Sequence, residues 1–349
     1  MKNRQYSLDF IKIVATVFIV FHHYQQFISG VFDNGTNYYG GIFNFGYMVE
    51  LFFVLSGYFM YPYMEKIKQG LTFKKFFTTR YLRLIPLVAI AAFAYQFLCL
   101  VHIKLVGGAA WFMYSRDLWS TIVAALGFQE GWIFTNNTYV NYPIWYVSVL
   151  LVCYILFYLG TYLSNKLHVS SRYFYLALLF FGIAISAYGW DLPFMNIYNA
   201  RGYYSFFTGV LLSTYYFEKS STKRESLTCF TIITVIIGLI AFKNNFIANG
   251  IEFTCTFILY PAIIVLFKNP IINKFFSSQI YQTIANIAFN AYVWQMPLLV
   301  ALLIFVNTVP VGISFLTRES MWCFAVVNFL IGAISHFLLE KNIKKLIKA

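Results

Sequence analysis

Ten apolar stretches, each near the length that crosses a bilayer, recur along this chain and leave little room for any other fold. They lie near 8–29, 42–63, 81–101, 143–163, 173–189, 203–217, 227–242, 251–267, 284–306 and 320–340, and a span needs roughly 20 mostly apolar residues. Backbone N–H and C=O groups in hydrocarbon find no water, so each stretch must satisfy them internally as a helix. The expected fold is all-α: a polytopic integral membrane protein with about ten transmembrane helices, forming a single membrane-embedded domain over 1–349 with no soluble domain. The stretch 104–142 fits least well. Its apolar piece from Leu118 to Phe128 is too short to span and reads as re-entrant or interfacial.

Composition excludes the main alternatives. Charged residues are 11% of the chain, against roughly 25% in a soluble domain, too few to cover a water-facing surface. The 40 Phe and 28 Tyr suit lipid-facing surfaces and aromatic belts at the headgroups. A net charge of +13 raises the question of nucleic acid, but the cations punctuate the apolar runs instead of clustering as a groove would need. With the N-terminus inside, nineteen of the 25 Lys and Arg fall in inner segments, six of them between Lys66 and Arg83. Lys104, Arg116, Arg201, Lys243 and Arg318 fall outside, and Lys12 lies in the first helix. The positive-inside rule therefore predicts a multi-pass cell-membrane protein with both termini cytoplasmic. The five cysteines stand singly in apolar runs, so no zinc, redox or other metal site is expected. Lys2 and Arg4 precede an apolar stretch as in a signal peptide, but no small-x-small cleavage site follows, and the stretch reads as a retained helix.

Ionisable residues inside spans are costly and are functional candidates by default. The first helix carries Asp9, Lys12, His22 and His23. At 100° per residue, Lys12 and His23 fall within about 20° of one stripe and ~16 Å apart along it, with Asp9 on nearly the same face. His22 points about 100° away. On residues alone, Asp9 and Lys12 read as an interfacial ion pair or a working pair. The histidines read as headgroup-belt anchors or as a proton-transferring group. In the inner loop, Arg80-Tyr81-Leu82-Arg83 sets two guanidinium groups one turn apart, before Pro86. That spacing suits bidentate capture of a phosphate, and it equally satisfies topology. In the second helix, Glu50 needs a partner or water, while Ser56-Gly57 permits close helix approach. No Gly-x-Ser-x-Gly or other sign of a serine nucleophile appears.

In this order, these residues resemble the acyltransferase-3 family of membrane proteins over nearly the whole length. Asp9, Lys12 and His23 match the family's opening pattern, which selects His23 over His22. Phe52-Phe53-Val54-Leu55-Ser56-Gly57 matches its FFxLSG block, and Arg80, Arg83 and Pro86 its arginine pair before proline. Weaker echoes are Trp145-Tyr146-Val147-Ser148, Phe207-x-Gly209, Asn290-Ala291-Tyr292-Val293-Trp294 and Glu340. One departure stands out: Gln295 occupies a position where relatives commonly have His, and it cannot exchange a proton at neutral pH.

The resemblance implies a cytoplasmic acyl-CoA donor, usually acetyl-CoA, with no permanently bound cofactor. It implies His23 as the base, with Lys12 and Asp9 beside it, and Arg80 and Arg83 on donor phosphates. Glu50, Ser56, Gln295 and Glu340 would bind substrate or support the site. The acceptor would be a hydroxyl of an extracytoplasmic glycan or lipid-linked sugar, with membrane lipid, and polysaccharide-biosynthesis proteins as partners. Two rival readings remain: a transporter, flippase or export component for a glycan or lipid-linked sugar, and a non-catalytic partner of a polysaccharide synthase. The absence of visible inverted repeats counts against the transporter. Acceptor identity, acyl length and oligomeric state carry no readable code.

Overall fold

The computed structural model describes residues 6–28, 37–41, 44–113, 117–132, 140–242, 250–276, 278–310 and 314–342. Among these there is no strand. In chain order the helices are α1 (Tyr6–Ile28), α2 (Met48–Tyr58), α3 (Tyr61–Lys68), α4 (Phe73–Val106), α5 (Leu118–Ala125), α6 (Trp145–Lys166) and α7 (Ser171–Tyr188). They continue with α8 (Ile197–Tyr216), α9 (Lys223–Ala241), α10 (Ile251–Phe267), α11 (Pro270–Phe275), α12 (Gln279–Thr308) and α13 (Arg318–Glu340). Seven of them, α1, α4, α6, α7, α9, α12 and α13, are long and apolar enough to cross a membrane by themselves. The other three expected spans are helical as well, in α2, α8 and α10. The chain is an all-α, multi-pass membrane protein.

Local chemistry explains where the helices depart from the expected bounds. The span expected at 81–101 begins at Phe73, because the Thr72 hydroxyl caps the helix by accepting from the Lys75 amide, and it runs to a left-handed Gly107. The basic segment before Arg80 is thus the first two turns of α4 and not a loop. The stretch 42–63 is not one span. It contains a 3₁₀ turn at Phe45–Tyr47, then α2, then a break at Phe59–Met60 into α3. Pro62 at the start of α3 has no N–H to continue the ladder. In α10, Pro261 likewise removes a bond to the carbonyl four residues back, and the preceding turn widens into a π-bulge at Cys255–Leu259. Asn196 caps α8 early enough to draw Arg201, expected in an outer loop, into the helix.

The piece near 118–128, expected to be re-entrant or interfacial, forms the short helix α5 and a turn packed on α4 and α6. After α5, the Tyr81 hydroxyl donates to the Leu126 carbonyl (3.1 Å), and Gly127 packs on Ile85 and Leu151, deep in α4 and α6. The chain then turns back. Trp132 donates to the Ser148 carbonyl (3.0 Å), and the Asn196 side chain donates to the Glu130 carbonyl (2.8 Å) at the head of α8. These protein donors satisfy backbone that hydrocarbon would leave bare.

Helix packing then sets the frame of the site. α12 lies against α1, α4 and α13, while α8 lies against α2 and α7, with α6 between the two groups. The α2–α8 crossing is the tightest. A Cβ on Gly57 would run into the Phe206 carbonyl, and one on Gly209 into the Val54 carbonyl.

Candidate active site

At the inner end, meaning the end where α1 begins, Lys12 pairs with buried Asp9 at 3.0 Å. Its ammonium also lies 4.4 Å over the Phe59 ring, at the α2–α3 break. Met60, the next residue, touches Arg80 through its sulfur (3.5 Å). The break therefore gathers Lys12 and Arg80 around one corner. Arg80 is buried, with its guanidinium 3.9 Å over Tyr63, 4.1 Å over Phe76 and 5.2 Å from Tyr154. No described carboxylate lies within ion-pair distance of it, and its Nε has no hydrogen-bond partner among the described residues. Cation–π contact contributes about 0.5–2 kcal/mol, far from the several kcal/mol that desolvating an ion costs. Such a group is suited to an incoming anion. Arg83 is exposed, yet it lies near enough to Tyr146 and Tyr154 for its charge to act on both. It therefore turns toward α6.

From there a line of polar side chains rises through the bundle. The Tyr146 hydroxyl shares a hydrogen bond with Ser56 (3.0 Å) and reaches the Phe52 carbonyl (3.4 Å). Tyr146 meets Tyr292 edge-on, with centroids 5.9 Å apart, and Tyr292 donates to the Pro143 carbonyl at 2.5 Å. One turn along α12, Gln295 gives its amide to the Tyr292 carbonyl (2.9 Å), and its side chain lies beside His23. The position where relatives commonly have His therefore sits against His23 itself. The His23 Nδ1 and the Gln295 Oε1 are both buried and have no partner among the described residues. An amide can donate to an imidazole or accept from it, but unlike a second histidine it cannot take its proton.

His22 meets the His23 ring edge-on, with centroids 5.0 Å apart, but its other neighbours are different. Its ring lies 5.1 Å from Tyr39, interacts with Asn44 and packs on Gly46. The 100° offset expected within α1 is thus realised as two environments.

Two other expected residues lie outside this line. Glu50, fully buried, forms an ion pair with Arg201, which also lies 3.9 Å from Glu252 and 4.9 Å over Trp145. Tyr204 in turn donates to Glu252. The partner that Glu50 needs stands 151 residues away in the chain, and sequence reading missed it because it placed Arg201 in a loop. Removing one member of a buried pair leaves an uncompensated charge and costs about 3–5 kcal/mol. Glu50→Ala is accordingly expected to lower the melting temperature of the purified protein clearly, and Glu50→Ala with Arg201→Met to recover part of the loss. Equal melting in Glu50→Ala and wild type would mean that the pair does not hold α2 to α8.

Glu340 accepts from Asn290 (2.8 Å) and from His336 (2.5 Å), in a π-bulge ending α13. Ser335 joins that cluster through Asn290 and Trp294. It ties α13 to α12 below Gln295, and this is a packing contact more than a reacting one. His336 was not singled out from sequence, although its spacing of four residues from Glu340 on one helix would have paired them. Among the described residues, no group of three His, Cys, Asp or Glu side chains could hold a metal.

No curated protein and no solved structure gives a match to the chain. A model of acyltransferase-3 proteins, described as an acyltransferase domain, matches residues 5–338. That span takes in α1 through all but the end of α13, including Asp9, Lys12, His23, Arg80, Arg83 and Gln295. This membrane protein belongs to the acyltransferase-3 family and is an acyltransferase.

Proposed function

We propose that the protein transfers an acyl group, most simply acetyl, from acyl-CoA to a hydroxyl of a glycan or lipid-linked sugar at the cell membrane, with the inner end cytoplasmic. The observation that carries this reading is the line from Arg80 and Arg83, through Ser56–Tyr146 and Tyr292–Gln295, to His23. It joins a cationic inner corner to an imidazole with Gln295 beside it. The donor's phosphates lie against Arg80, Arg83 and Lys12, and the thioester points up the line. His23 takes the proton of the acceptor hydroxyl as that oxygen attacks the thioester carbonyl. The tetrahedral intermediate collapses with cleavage of the C–S bond, and the imidazolium returns its proton to the departing CoA thiolate. Atoms and charge balance without a further reactant.

Membranes holding the protein, incubated with acetyl-labelled acetyl-CoA and surface glycan, should release CoA and label the glycan. Export of unmodified glycan without CoA release would instead favour the transporter reading. Arg80→Lys and Arg83→Lys keep the charge and lose the planar fork. Since a charge-assisted hydrogen bond contributes roughly 1.5–3 kcal/mol, KM for acyl-CoA should rise about tenfold or more in each. An unchanged KM in both would remove the donor-site assignment and reduce the arginines to topology markers.

A further inference from the structure

At the inner end of the bundle, away from the site, α9 and α10 leave an apolar groove of about 410 Å³ between them. Tyr216, Arg224, Cys229, Ile232, Phe257 and Pro261 are among its lining residues. Its end lies with the inner termini, because the Ser221 amide donates to the Lys268 carbonyl and Asn269 to Ser226, beside the Ser7–Asn273 contact of α1. The π-bulge at Cys255–Leu259 lies along one wall, and α9 buries only 17% of its apolar window in the bundle. The groove therefore opens to the surrounding lipid. Its mouth is net positive by one charge, with Lys219, Lys223 and Arg224 against Glu218 and Glu225. Glu225 accepts from the Thr222 capping box and from the Tyr216 hydroxyl (2.9 Å), and Arg224 beside it is exposed with no described carboxylate in ion-pair reach. Lys219 and Lys223 flank it.

We infer that this groove is a binding site for one anionic phospholipid, with its phosphate on Arg224 and an acyl chain lying between α9 and α10. Two physical facts carry the assignment. Hydrocarbon depth holds no water, so an outward-facing apolar groove there is filled by an acyl chain. A guanidinium at headgroup level holds a phosphate bidentately, and a net positive mouth favours a headgroup with no cation of its own over the zwitterionic choline headgroup. The site is independent of acyl-CoA and of the acceptor, so it stands or falls apart from the proposed reaction.

Cys229 reports on occupancy from inside the groove. With exposed Cys323 replaced by serine, the other three cysteines are buried. The full chain, placed in phosphatidylcholine bilayers with or without phosphatidylglycerol, is treated with a membrane-permeant maleimide. Phosphatidylglycerol is expected to slow Cys229 labelling. Arg224→Gln should require about tenfold more of that lipid for the same protection, the loss of one charge-assisted contact. Thr228→Trp, which fills the groove without touching the charge, should slow labelling in either bilayer. Equal labelling with and without phosphatidylglycerol, equal protection in Arg224→Gln, or protection by inorganic phosphate alone would overturn the assignment.

Discussion

Alanine at His23 is expected to lower acyl transfer by about 10²- to 10⁴-fold, the range a positioned general base contributes, with the protein at normal levels in the membrane. His22→Ala should keep most of the activity, because that ring touches His23 only edge-on and otherwise packs on Tyr39, Asn44 and Gly46, off the line to Tyr146 and Tyr292. Gln295→Ala should fall between the two. It leaves the base in place and removes the side chain packed beside it, so kcat drops while KM for the donor holds. Equal losses at His22 and His23 would make the pair a structural belt. Full activity without His23 would end the acid–base reading altogether. The contrast is sharp because the two residues are neighbours on one helix, and a general disturbance of α1 would affect both.

The second large effect concerns folding. Gly57→Ala and Gly209→Ala each place a methyl group against a carbonyl of the facing helix. Backbone cannot rotate away as a flexible side chain does, so each should cost at the upper end of, or beyond, the usual 1–3 kcal/mol of overpacking. The expected outcome is loss of most folded, monodisperse protein on extraction and a lowered melting temperature in what remains. Gly238→Ala is the control, since nothing lies within 4 Å of a Cβ there. If the two crossing variants behaved like this control, α2 and α8 would not be held at the observed separation.

Much of this was legible in the chain because hydrocarbon imposes simple rules. The apolar runs marked the helices, and the 100° step of α1 separated His22 from His23. The Ser56-Gly57 pair announced a close crossing. What stayed hidden depended on partners far apart in sequence. That Glu50 needed a partner was readable; that the partner was Arg201 was not, because only the Asn196 cap brings that residue into α8. The arginine spacing was readable too. Its asymmetry, with Arg80 enclosed by three rings and Arg83 exposed, is set by Tyr63 on α3 and Tyr154 on α6. The 42–63 stretch looked like one span because hydropathy averages across Phe59–Met60, where the backbone breaks. Gln295 appeared as a departure from relatives, and only the packing of α12 on α1 brought it beside His23.

The tyrosines along the middle of the bundle bear on the membrane as an insulator. Tyr146, Tyr154 and Tyr292 are all less than a tenth exposed, and Tyr146 and Tyr292 meet edge-on. An opening that admitted water along this line would short-circuit the proton and sodium gradients on which the cell depends. Phenol rings packed edge to edge oppose the passage of water and ions along this line. The thioester arm of the proposed donor has to part them one at a time. Shaving Tyr146 or Tyr292 down to alanine would then matter to the cell even in a protein with no substrate to act on, as a leak that shows up in membrane potential and growth.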